Sequence, residues 1–126
     1  MSYRSKLVEG HNWYLSHELL YAETGKEAPT ECLTVWENLI LIRANSPAEA
    51  YKKAMKHGKM SEDKVRINGK PGKLRFLGLR DLVLIYDELE DGAELEWPET
   101  QFTRVKMRKL LRSKERLHAF NPTKTK

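Results

Sequence analysis

The run Ser46-Pro47-Ala48-Glu49 constrains the fold of this chain more than any other four residues. Ser46 is placed as an N-cap, Pro47 sits at the first helical position, and Glu49 three residues on completes a capping box. The helix it starts is expected to run to about His57, with Gly58 as the C′ residue. Its apolar face is narrow, made of Ala50, Ala54 and Met55, while Lys52, Lys53 and Lys56 face water. Strand patterns flank it. Asn12–Tyr21 alternates, with Trp13, Leu15, Leu19 and Tyr21 on one face and Ser16 and Glu18 on the other. Glu23–Glu31, with Gly25 and Pro29, reads as a loop. Leu33–Arg43 is apolar on both faces from Leu39 to Ile42, which predicts a central strand. After the helix, Val65 and Ile67 begin a third strand, and Asn68-Gly69 is a turn dipeptide that Pro71-Gly72 could lengthen. Lys73–Tyr86 is a long strand in which Gly78 marks a bulge or bend. Residues 87–97 read as one more hairpin, and residues 104–118 as a helix. The fold class is therefore α+β: an antiparallel four- to five-stranded sheet with one capped helix on a face and a basic C-terminal helix. A helix as short as Ser46–His57 cannot cover such a sheet, so the second face needs the C-terminal helix or another subunit.

With 126 residues, 40% of them hydrophobic and 33% charged, the chain is neither disordered nor a membrane protein by composition. A chain of this size buries about two-thirds of its extended surface, enough for a core without staples. The longest uncharged apolar runs, Leu39–Ile42 and Leu82–Tyr86, fall far short of the ~20 residues of a membrane span. No apolar signal-peptide core is visible at the N-terminus. The lone Cys32 excludes an internal disulfide. A cytoplasmic location, with no membrane partner, is expected. The expected organisation is an α+β domain over residues 1–103, a basic amphipathic helix over 104–118, and a disordered tail over 119–126.

No residue pattern names a chemistry. His11, His17, His57 and His118 include no pair at the i,i+4 spacing of a helical zinc site. His57 reads as a cation at a helix C-terminus, and Cys32 has no evident His partner. Gly69-Lys70-Pro71-Gly72-Lys73 lacks the spacing of a phosphate loop, and a strand follows it rather than a helix. Asp81, by strict alternation, lies between Leu79 and Val83 on an apolar face, where it needs a partner such as Arg43 or Arg80. Asp87, Glu88 and Glu90 belong to a solvated acidic run rather than to an acid/base pair. Trp13, Trp36, Phe76 and Trp97 suit a core better than a base-stacking platform. The sequence thus points to no enzyme, no catalytic residue, no cofactor and no metal site.

The charge distribution is the more informative feature. Residues 104–126 carry a net +8 and residues 1–103 a net −3, while Asp87–Glu99 holds seven acids and no base. Arg104, Arg108, Arg112 and Arg116 recur every four residues, so on a helix they form one stripe beside Met107, Leu110, Leu111 and Leu117. Like charges at i,i+4 repel, and an acidic partner would offset that. In the expected hairpin a three-residue loop, Glu90-Asp91-Gly92, puts Glu88, Glu94 and Glu96 on one face, where they repel in turn. Arg104, Arg108, Arg112 and Arg116 on one side, and Glu88, Glu94 and Glu96 on the other, are the candidate interaction residues. The reading that follows is a non-enzymatic interaction module, self-associating as a homodimer. Two alternatives stand beside it: a nucleic-acid-associated protein using the basic helix, and an immunity-type inhibitor in a toxin system. The basic surface counts against an inhibitor of nucleases.

Two stretches also carry a family resemblance. Glu37–Ala54, with the Ser46-Pro47-Ala48-Glu49 box, and Phe76–Glu94, with Gly78, Asp81, Asp91 and Gly92, resemble a bacterial family catalogued as domain of unknown function 4288. Trp13-Tyr14 is similar to that family's aromatic start. The resemblance spans roughly residues 12–97 and leaves out the basic tail. It implies the element order given above and a small stand-alone bacterial protein, and it brings no activity or catalytic residues.

Overall fold

The computed structural model describes residues 12–122. Four antiparallel strands, β1 (Asn12–Glu23), β2 (Val35–Ala44), β3 (Asp63–Ile67) and β4 (Lys70–Ile85), form one sheet in the order β2-β1-β4-β3, with α1 (Pro47–Met60) between β2 and β3. Asn68 and Gly69 both take positive φ, 51° and 78°, which makes a tight two-residue hairpin between β3 and β4. Pro71 and Gly72 therefore lie within β4 rather than extending the loop. β1 ends opposite Lys73, so Pro71 has a partner strand on one side only, where its missing N–H is tolerated.

Ser46 Oγ accepts from the Glu49 amide at 3.1 Å, and the Glu49 carboxylate reaches back to the Asn45 amide at 3.3 Å. The far end differs from expectation. The helix continues to Met60, and Ser61, not Gly58, closes it, its N–H meeting the His57 and Gly58 carbonyls. Gly58 is buried inside the helix because Phe76 leaves no room for a side chain: a Cβ there would stand 2.3 Å from Phe76 Cε1. Ala50, Ala54 and Gly58 make the buried seam, and small side chains at this spacing let the helix lie close on the sheet. Tyr14, Ile42 and Ala44 meet Ala50 and Ala54, with Ile40, Leu79, Leu82 and Leu84 around them.

Three further expectations are corrected. β2 is an edge strand, not a central one. Its apolar residues do lie on two faces, but only Ile42 and Ala44 are buried, while Val35, Leu39 and Leu41 are 53%, 56% and 46% exposed. On β1 the face expected to carry the polar residues Ser16 and Glu18 is the one against the helix, and both are fully buried. On β4 the register against β1 shifts twice. Leu77 and Arg80 are the extra residues, and each bulge swaps which parity faces the core. Leu79 then points to α1, whereas Asp81 shares the opposite face with Val83. Asp81 is exposed, accepts from the Leu82 amide at 2.8 Å, and among the described residues pairs with neither Arg43 nor Arg80.

There is no fifth strand and no long C-terminal helix among the described residues. Residues 86–103 hold only a turn at 90–92, with Gly92 at φ 88° and the Ala93 amide donating to the Glu90 carbonyl. The basic segment forms α2 (Arg104–Arg108), then 3₁₀ turns at Lys114–Arg116 and His118–Phe120. Every residue from Pro98 to Pro122 is exposed. With no apolar face buried and arginines repelling at i,i+4, propagation of a long helix has nothing to support it. The tail expected to be disordered over 119–126 begins inside a 3₁₀ turn, and residues 123–126 lie outside the described ones, as does His11.

The tight fit at Gly58 yields a test. In an exposed helix Gly→Ala gains about 0.5–1 kcal/mol. Here Gly58→Ala should instead destabilise by about 1–3 kcal/mol through overpacking, read by urea denaturation. An unchanged or raised midpoint would mean that the helix does not lie against Phe76 as described.

Candidate functional site

The sheet face turned away from α1 carries a cluster of polar side chains around His17. His17 on β1 opposes Leu39 on β2 and Asp81 on β4, and only 9% of it is exposed. Its Nδ1 lies 2.7 Å from Glu37 Oε2 on β2. A carboxylate can only accept, so Nδ1 carries the proton and donates. The other Glu37 oxygen accepts from Arg80 Nη1 at 3.0 Å. The bulge at Arg80 thus turns a guanidinium toward the same carboxylate. On the far side of the ring Nε2, screened from solvent, has no aligned hydrogen-bond partner. Glu96 Oε1 stands 3.2 Å from it, close enough for a charge contact but poorly aligned. A shallow pocket of about 330 Å³ opens here beside Asp81 and Pro98.

The segment after β4 makes this cluster by folding back. The Glu94 amide donates to Asp87 Oδ2 at 3.0 Å, and the Trp97 ring packs on Tyr86 with centroids 5.9 Å apart. Glu96 is thereby brought over His17. Further along the same face, the Arg43 guanidinium stacks over Trp13 at 5.8 Å. The four aromatics do not form a platform: Phe76 is buried against α1, and Trp97 is held by Tyr86.

A second histidine–carboxylate pair lies on the helix side. Glu18 is wholly buried, and its Oε1 and Oε2 stand 2.8 and 3.1 Å from His57 Nδ1. His57 is about half exposed at the edge of the seam. Its role is a specific contact from helix to sheet, more than a cation at a helix end. Alternation alone could not reveal it, because it places Glu18 on a face without saying that the face is covered.

The interaction residues proposed from sequence are not brought together within one chain. Among the described residues no ion pair joins Arg104, Arg108, Arg112 or Arg116 to Glu88, Glu94 or Glu96. Only Arg104 and Arg108 share a helix. Glu88 is exposed, Glu94 is half-buried, and Glu96 is spent on His17. No paired hairpin forms at 87–97, so the three glutamates do not share a strand face. Cys32 lies exposed in the loop before β2. Among the described residues no group of three or more His, Cys, Asp or Glu is placed to hold a metal ion, and no helix is long and apolar enough to cross a membrane.

The hydrogen bond from His17, opposed by partial desolvation and aided by Arg80, holds the Glu37 carboxyl below its ordinary value of 4.5. A carboxyl held low in the folded chain adds stability above its unfolded pKa, and that stability is lost as pH falls through the lowered value. An NMR titration should therefore find Glu37 ionising below the ordinary value for a glutamate. His17→Ala should raise the Glu37 midpoint toward ordinary, and Arg80→Ala should raise it by less. A midpoint that His17→Ala leaves in place would refute this assignment.

No curated protein and no solved structure matches the chain. The family model described as domain of unknown function, DUF4288, matches residues 13–97. These residues span the whole sheet, α1 and the fold-back segment up to Trp97, and leave out the basic tail. The chain belongs to the family of that domain of unknown function, DUF4288.

Proposed function

We propose that this protein is a non-enzymatic interaction module that self-associates, the basic tail of each copy lying on the bare part of the other's sheet. The observation that carries the reading is the unburied apolar surface on two parts of one chain. Val35, Leu39 and Leu41 stand uncovered on β2, and Val105, Met107, Leu110 and Leu111 stand uncovered on the tail. Neither set finds the other in cis. Apolar patches left bare on a folded chain mark contact surfaces. A second copy suits them by charge as well, since the tail is net +8 and the remainder net −3. In such a pair Arg104, Arg108, Arg112 and Arg116 would face acids of the partner's 87–99 segment, with Glu88 and Glu94 the free candidates and Glu96 already engaged. Bidentate arginine–carboxylate contacts would give the docking a register. Contact with an acidic surface would also let the tail lengthen its helix, because it removes the repulsion that keeps α2 short.

One observation favours a second reading, a nucleic-acid-associated protein: the four tail arginines have no carboxylate partners among the described residues. A basic tail binds polyanions at low salt whatever its role, because counterion release is independent of sequence. The discriminating condition is salt near the physiological level.

Sedimentation measurements on the intact chain should give a dimer. A chain ending at Thr103 and the full chain carrying Leu39→Lys and Leu41→Lys should both be monomers. Arg108→Glu with Arg112→Glu should weaken the dimer at least tenfold, and Glu88→Lys with Glu94→Lys should partly restore it. Binding to random duplex or single strand should be largely gone by about 150–200 mM salt. A monomer at every concentration, or sub-micromolar nucleic-acid binding at 150 mM salt that vanishes with the tail, would overturn the reading.

A further inference from the structure

Lys64 on β3 and Lys73 on β4 face each other directly across the hairpin. Among the described residues neither ammonium has an ion-pair partner. Like charges opposed at such a pair destabilise the sheet by themselves. Two arginines flank them on the same face, and both are held in place. Arg66 Nη2 donates to the Gly69 carbonyl at 2.6 Å, and Arg75 is paired with the Glu23 carboxylate. These four cations and Glu23 line a cleft of about 740 Å³, closed on one side by Thr24 and Gly25 at the end of β1. Four positive groups thus converge on one concavity that holds a single carboxylate, already engaged.

We propose that this cleft binds a di- or triphosphate group of the kind a nucleotide carries. Its volume lies in the range of pockets that hold small ligands, about 300–1,000 Å³. Two ammonium groups from directly opposed residues can hold successive phosphoryl groups as point charges, and a guanidinium fixed by its own partners can add a forked contact. A bound anion removes the Lys64–Lys73 repulsion, so binding also stabilises the hairpin. The run Gly69–Lys73 takes part through Lys73 and as the turn that sets the hairpin, not as a phosphate loop, since no helix follows it. The cleft sits at the β3–β4 end of the sheet, apart from the β2 surface assigned to self-association, and it does not rest on that reading.

The test is an amide-detected NMR titration of the full chain at 150 mM salt with pyrophosphate and, separately, with ATP. Saturable shifts should appear at residues 64–66 and 71–75 with a midpoint below about 1 mM. Lys64→Ala with Lys73→Ala should weaken binding at least tenfold. Both side chains are exposed, so the rest of the spectrum should be unchanged. If that pair perturbs the hairpin, Lys73→Ala alone must still weaken binding measurably. Arg108→Glu with Arg112→Glu should leave it unaltered. Equal affinities for the two probes identify the diphosphate as the recognised group, and tighter ATP binding adds a contact to the nucleoside; both support the proposal. No saturable shift, full binding by the lysine variants, loss of binding on the tail reversal, or a short oligonucleotide or aspartate-rich peptide outcompeting pyrophosphate would each overturn it.

Discussion

One helix against four strands is the constraint from which the rest of this structure follows. α1 has fourteen residues, about 21 Å of length at the rise of an α-helix. It can shield one face of a four-stranded sheet and no more. It does so at short range, because Ala50, Ala54 and Gly58 present almost no side chain and Phe76 fills the space left beside Gly58. The other face must find cover elsewhere. The chain supplies part of it by folding residues 87–98 back, which sets Glu96 and Pro98 beside His17 and Trp97 on Tyr86. That cover does not extend over β2. Leu39 and Leu41 remain open, and the only other long stretch of the described chain, residues 99–122, lies away from the sheet with its own apolar side chains exposed.

Close docking of α1 also traps a carboxylate. Glu18 is buried with its oxygens on His57, which ties the helix to the central part of the sheet. A buried carboxylate without a partner is costly, by several kcal/mol. The pair therefore acts less as a source of stability than as a condition on docking, since the helix must sit where His57 meets Glu18. A mirrored arrangement holds the fold-back segment, where His17 lies between Glu37 of β2 and Glu96. Each face of β1 thus carries a histidine in contact with carboxylate: His57 with Glu18 on one, and His17 with Glu37 and Glu96 on the other.

The sequence made the local elements legible and the pairings less so. The Ser46 cap, the Asn68-Gly69 turn and the long β4 each rest on backbone preferences a few residues wide, and they could be read directly. Gly58 misled because a glycine near a helix end has two explanations, a left-handed cap or a close packing contact, and only the position of Phe76 decides between them. Asp81 does not share a face with Leu79 because the bulge at Arg80 shifts the parity of β4 between them, and a bulge is set by the partner strand. The apolar run Leu39–Ile42 suggested a central strand, yet the same residues fit an edge strand whose second face awaits cover. The arginine period of four is real in the sequence, but a period is not a helix without something to bury its apolar side. His17 and its carboxylates come from three separate segments, and no spacing rule joins them.

The account turns on whether the tail of one copy covers β2 of another. Isotope-filtered NMR on an equal mixture of labelled and unlabelled chains addresses this directly, because it detects only contacts between copies. Cross-peaks should connect the methyl groups of Leu110 and Leu111 in one copy with those of Leu39 and Leu41 in the other. A mixture at the same concentration that shows no such peaks would contradict the account.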